Sequence, residues 1–75
     1  MQLQKVYVVF WNTDWEHGYL GVTRYLSDAL RWVSDFNNWN PEDVSYHEDR
    51  DGTCITFSTN YDTYGHAGYA LIEYV

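Results

Sequence analysis

The chain has 75 residues, with 11 Asp or Glu against 4 Lys or Arg, which gives a formal charge of −7 with the His residues neutral. Apolar residues make up 45% and aromatic residues 20%, too many core formers for a disordered acidic tail, so the composition predicts one small folded domain over residues 1–75. A domain this short buries only about 60% of the surface its unfolded chain exposes, so large side chains, a partner or a second copy must supplement the core.

Six elements follow in order. Leu3 to Trp11 is β-branched and aromatic at alternating positions on both faces, the pattern of a central strand covered on both sides. Asn12 to Gly18 carries turn formers, and Tyr19 to Tyr25 reads as a returning strand interrupted by Gly21. Ser27 then precedes Asp28 to Asn38, where Ala29, Trp32, Val33 and Phe36 recur at helical spacing. Ser27 is the expected N-cap, Asp28 suits the positive end of the dipole, and Asn37 or Asn38 is expected to take the left-handed stop before Asn40-Pro41.

Val44 to Glu48 and Thr53 to Thr59 flank Asp49-Arg50-Asp51-Gly52, and Asp-Gly favours a tight hairpin turn. With Asp51 and Gly52 as the two turn residues, Arg50 faces Thr53, Glu48 faces Ile55, Tyr46 faces Phe57 and Val44 faces Thr59, so the apolar residues of both strands share one face. Asn60 to His66 is a polar, Tyr-bearing loop, and Ala67 to Val75 is a closing strand. The expected fold is α+β, in the order ββαβββ, a mostly antiparallel sheet with one helix packed on one face.

The opening strand Val6-Tyr7-Val8-Val9, the polar acidic loop after it, and the return into a helix that starts Asp28-Ala29 resemble a group of small bacterial and phage-type proteins over roughly the first half of the chain. That resemblance supports the topology and implies no activity. In size and acidity the chain is also similar to phage-encoded inhibitors of host defence, of the anti-CRISPR and antirestriction type. What this second likeness implies is an acidic nucleic-acid mimic that acts in the cytoplasm of the host cell.

Strand directions decide which loops share an end of the sheet. If the first strand runs upward, the loops 12–18, 37–43 and 60–66 all lie at the top. They hold Asp14, Glu16, Glu42, Asp43 and Asp62 together with Trp15, Trp39, Tyr61 and Tyr64, and no Lys or Arg. The four bases, Lys5, Arg24, Arg31 and Arg50, fall elsewhere. The helix also ends at the top, where its dipole adds about half a negative charge, so these acids are not placed for stability. A negative field with exposed aromatics suits a basic partner, steering its approach and anchoring it after docking. The plainer account is that acids on loops keep a small domain soluble, and that Trp15 and Trp39 close the ends of a small core.

Other chemistries find less in the sequence. His17, His66, Asp14 and Asp62, or His47, Asp49 and Asp51, offer mixed ligands without the spacing of a zinc or calcium site, so no metal or cofactor is expected. Cys54 with one of the His residues is the one nucleophile and base pair worth naming, and its mid-strand position suits an inert packing role. Glu42 and Asp43 are adjacent, not spaced as a separated acid and base, and the glycines form no phosphate-binding fingerprint. The chain is therefore not expected to be an enzyme. A single Cys excludes an internal disulfide, and the lack of a signal-like start or a long apolar run points to the cytoplasm rather than to secretion or the membrane.

Tyr7, Tyr25, Tyr69 or Tyr74 on an open sheet face offer stacking surfaces for bases, but the charge balance would repel a polyanion, so no direct nucleic-acid binding is expected. An aromatic face left open by a single helix fits a homodimer or a protein partner better. The leading expectation is thus a non-enzymatic, protein-binding inhibitor that blocks a basic nucleic-acid-binding surface. The site residues expected are Asp14, Trp15, Glu16, Trp39, Glu42, Asp43, Tyr61, Asp62 and Tyr64. The alternative is a small homodimeric structural or regulatory module, paired through its open sheet face.

Overall fold

The computed structural model describes residues 3–13, 15–59 and 68–75. Five antiparallel strands form one sheet among the described residues: β1 (Lys5–Asn12), β2 (His17–Thr23), β3 (Val44–Glu48), β4 (Cys54–Thr59) and β5 (Gly68–Tyr74), in the order β2-β1-β5-β4-β3. The helix α1 (Leu26–Phe36) joins β2 to β3 and packs on one face, followed by a short 3-10 turn at Pro41–Asp43. This is the α+β fold and the ββαβββ order that the hydrophobic pattern predicts.

The strand β1 is interior, hydrogen-bonded to β2 on one side and β5 on the other. Only one of its faces is covered by the helix, which corrects the expectation of cover on both sides. Tyr7, Val9 and Trp11 face α1, and the Trp11 ring stacks on Phe36 at 5.1 Å. Val6, Val8 and Phe10 alternate onto the face opposite α1, where Val6 is buried and Val8 and Phe10 are half-buried. In β2 the register shifts from Val9 opposite Gly21 to Phe10 opposite Tyr19, so Leu20 is an extra residue and turns back onto the core.

The helix begins earlier than expected, and Ser27 does not cap it. Tyr25 occupies the N-cap with no side-chain cap bond. Thr23 does the work instead: its Oγ1 accepts from the Tyr25 N–H at 3.1 Å and donates to the Asp28 carboxylate at 2.9 Å. At the other end the left-handed stop falls on Asn38, at φ 58°. The Asn38 N–H reaches the Asp35 carbonyl, and the Trp39 N–H reaches the Ser34 carbonyl at 2.8 Å. That paired closure is a Schellman motif, and it swings Trp39 back against the core.

The hairpin register is the one the sequence predicts, with Glu48 opposite Ile55, Tyr46 opposite Phe57 and Val44 opposite Thr59. Its turn is wider than a two-residue Asp51-Gly52 turn, and Arg50 does not pair with Thr53. The Gly52 N–H instead donates to the Asp49 carbonyl at 3.1 Å, with Gly52 at φ 67°, so Arg50 and Asp51 occupy the centre of the turn. The Asp49 carboxylate captures the Thr53 N–H at 2.9 Å and the Thr53 hydroxyl at 3.0 Å, which holds the chain open by the extra residues.

The core lies between α1 and the sheet. Val9, Ala29, Val33, Val44, Ile55, Phe57, Ala70 and Ile72 form it, and the buried Ser34 hydroxyl is satisfied by the Leu30 carbonyl at 2.6 Å. Among the described aromatic residues only Phe57 is fully buried. Of the other described rings, Tyr7, Trp32 and Trp39 pack against this small core, and Phe10, Tyr19 and Tyr69 lie on the open face.

Candidate protein-binding surface

Alternating strand directions put the β1–β2 connection, the end of α1 with its 3-10 turn, and the strand ends Thr59 and Gly68 at one end of the sheet. The first connection is four residues long, Thr13 to Glu16, and folds about Thr13. The Thr13 hydroxyl accepts from the Glu16 N–H at 3.1 Å and the Trp15 N–H at 3.3 Å, while the Thr13 N–H donates to the Glu16 carbonyl at 2.8 Å. With the backbone satisfied locally, the Trp15 ring at the tip is left without cover, at 94% exposure, and Glu16 beside it is also exposed.

At the other edge of the sheet, the Asn40 side chain caps the 3-10 turn by accepting from the Glu42 N–H at 3.2 Å, and Pro41 fits its first position. Glu42 and Asp43 are exposed there. Trp39 is not an exposed anchor. It packs half-buried against the core, because the Schellman closure directs it inward. Of the expected site residues, Asp14, Tyr61, Asp62 and Tyr64 lie outside the described residues, as does His66.

The acids share an end but are not gathered into one cluster. Glu16 leads into β2 and the Glu42–Asp43 pair leads into β3, the two edge strands, and four spacings of about 4.8 Å place them on the order of 19 Å apart across the sheet. The separation exceeds the screening length of about 8 Å at physiological salt, so the arrangement is a row across the sheet end.

No base joins them. Lys5 lies at the opposite end, 3.8 Å from Glu48, and Arg31 pairs with Asp28 on the helix at 3.2 Å. Arg24 follows β2 and Arg50 sits in the hairpin turn, both away from the acidic end.

Among the described residues no group of three or more His, Cys, Asp or Glu is placed to hold a metal ion. Cys54 lies on the open face opposite Leu71, and burial, with the Asp49 carboxylate adding to it, pushes its thiol above the ordinary value. That shift lowers its thiolate fraction and its nucleophilicity. No described helix is long and apolar enough to cross a membrane. The sequence reading missed Phe10, Tyr19 and His17, which meet Tyr69 on the open face. Of the four tyrosines expected there only Tyr69 is present: Tyr7 and Tyr74 alternate onto the helix side, and Tyr25 caps the helix. Their alternation in β1 and β2 was the available signal, obscured by the extra residue at Leu20.

No family model, curated protein or solved structure matches this chain. A functional reading therefore stands on the geometry and charge of its own surfaces.

Proposed function

We propose that this chain is a non-enzymatic, protein-binding inhibitor that covers a basic, nucleic-acid-binding surface of another protein or complex. The observation that carries the reading is Trp15, 94% exposed and flanked by Glu16, on a sheet end from which all four Lys and Arg are absent. A large ring held in water by a tightly bonded turn contributes nothing to the core. In an interface it supplies the kind of anchor that dominates binding energy. Glu42 and Asp43 extend the negative surface across the sheet end and are suited to steering a cationic surface into place. The setting that fits is cytoplasmic inhibition of a host defence complex, of the anti-CRISPR or antirestriction type, which the chain resembles in size and acidity.

The test is capture of partners from a lysate of the source cell at low and high salt, followed by competition with duplex DNA or RNA. The expected result is a nucleic-acid-binding complex that nucleic acid displaces and high salt releases. Glu16→Lys and Glu42→Lys should each slow association by roughly threefold to tenfold, while Asp51→Lys in the distant hairpin should leave it nearly unchanged. A partner held equally by all these variants at both salt concentrations would overturn the acidic-end reading.

A further inference from the structure

The face of the sheet opposite α1 carries an aromatic cluster that the core does not use. Phe10 stacks on Tyr69 with ring centroids 5.0 Å apart and meets Tyr19 edge-on at 6.0 Å. His17 closes the group at 6.5 Å from Phe10 and 6.4 Å from Tyr69. Tyr19 is 61% exposed, Val22 49% and Leu71 37%, so the patch continues along β2 and β5 in contact with water. Towards β4 and β3 the same face carries Ser45, His47, Thr56 and Ser58, all neutral or weakly basic.

Charge decides what fits it. In a chain of net charge −7, the paired strand residues of this face include one carboxylate, Glu73, and no Lys or Arg, with Arg24 following just beyond the end of β2. Nucleic acid would meet no cation to hold its phosphates, and a basic protein would meet no acidic field. A second copy of this chain would meet an equally neutral face. At the acidic end two copies approaching one another bring like charges together. The area is also sufficient: five strands about 4.8 Å apart and about 23 Å long give a flat footprint near 550 Å² per copy, or about 1,100 Å² for the pair, just above the ~1,000 Å² a specific interface should clear.

We infer that the open face is the interface of a symmetric homodimer, two sheets packed face to face around the Phe10–Tyr69 stack. The acidic end remains free in this arrangement, so the inference stands independently of the proposed function. Dimerisation should respond to salt in the opposite direction from partner binding, because screening relieves repulsion between two acidic chains.

Analytical ultracentrifugation over micromolar to millimolar chain concentration tests it. The wild type should sediment at twice the 8.9 kDa chain mass, and more completely as salt rises. Leu71→Glu and Val22→Lys, both at water-exposed positions, should weaken the dimer by on the order of a hundredfold with an unchanged circular dichroism spectrum. Glu42→Lys should leave it intact. A wild type that stays monomeric at millimolar concentration overturns the inference, as does a dimer that survives both open-face substitutions. If Leu71→Glu fails to fold, Val22→Lys on the edge strand decides alone.

Discussion

Trp15 and Trp39 look alike in the sequence, each an aromatic residue beside a polar turn, and they have opposite roles. Trp15 sits on a turn whose hydrogen bonds are closed by Thr13, and its ring is out in water. Trp39 is carried onto the core by the backbone bond to Ser34. Trp15→Ala should leave the denaturation midpoint unchanged while weakening partner binding by about 2 kcal/mol or more, as loss of an interface anchor does. Trp39→Ala should destabilise the fold by about 2–4 kcal/mol in urea titration. Asp49 is a second residue whose meaning is local. The backbone N–H of Thr53 acts most strongly to lower its carboxyl below the usual range, desolvation opposes it next in size, and the Thr53 hydroxyl and the Cys54 and Gly52 N–H groups bring the net shift down. A lowered value in the folded state means that this contribution is fully present above the ordinary Asp value of about 3.9 and is lost as pH falls through the lowered one. Asp49→Ala should therefore lower Tm at neutral pH, and the gap to wild type should narrow in thermal melts as pH falls below the ordinary Asp value.

Elements were legible where a side-chain period or a special backbone conformation marks them. The apolar spacing of Ala29, Trp32 and Val33 locates α1, Asn38 locates its end, and the shared apolar face of Val44, Ile55 and Phe57 sets the β3–β4 register. The beginning of α1 was less legible, because Thr23 acts from outside the helix through Tyr25 and Asp28, and no pattern of adjacent residues announces that bridge. β5 shows the same limit. Gly68 reads as a weak strand residue, yet a Cβ there would stand 2.5 Å from the Phe10 carbonyl oxygen and 3.0 Å from the Val33 side chain. The close approach lets β1 and β5 pair directly beneath the helix. Gly68→Ala should cost roughly 1–3 kcal/mol of stability, read as a fall in the urea midpoint with the slope unchanged, since a backbone oxygen cannot turn aside as a flexible side chain can.

For the molecule as a whole, two surfaces stand outside the small core, the acidic end and the open sheet face. Among the described residues a single fully buried aromatic, Phe57, anchors the interior, and the other described rings are half-buried or exposed. The acidic end is spread across the sheet, so its charges act separately. Reversals at Glu16 and at Glu42 should accordingly add in the free energy of partner binding, because sites more than about 7–10 Å apart without shared partners couple weakly. In the inferred dimer the two acidic ends are carried by separate copies, and the open face is withdrawn from water between them. The opposed salt responses expected of the two associations keep them separable in one sample.

Composition, charge and side-chain period were enough to establish an α+β domain, its order of elements, the location of its helix and the hairpin register, because these depend on which residues neighbour one another within a few positions. The placement of all four bases away from one sheet end also followed from strand direction alone. Strand order β2-β1-β5-β4-β3, the inward turn of Trp39, the exposure of Trp15 and the meeting of Phe10, Tyr19, His17 and Tyr69 emerged only in three dimensions. Each depends on which distant strands pair and on where a single helix lies. Those outcomes are set by packing across the whole sheet, and no local period in the chain encodes them.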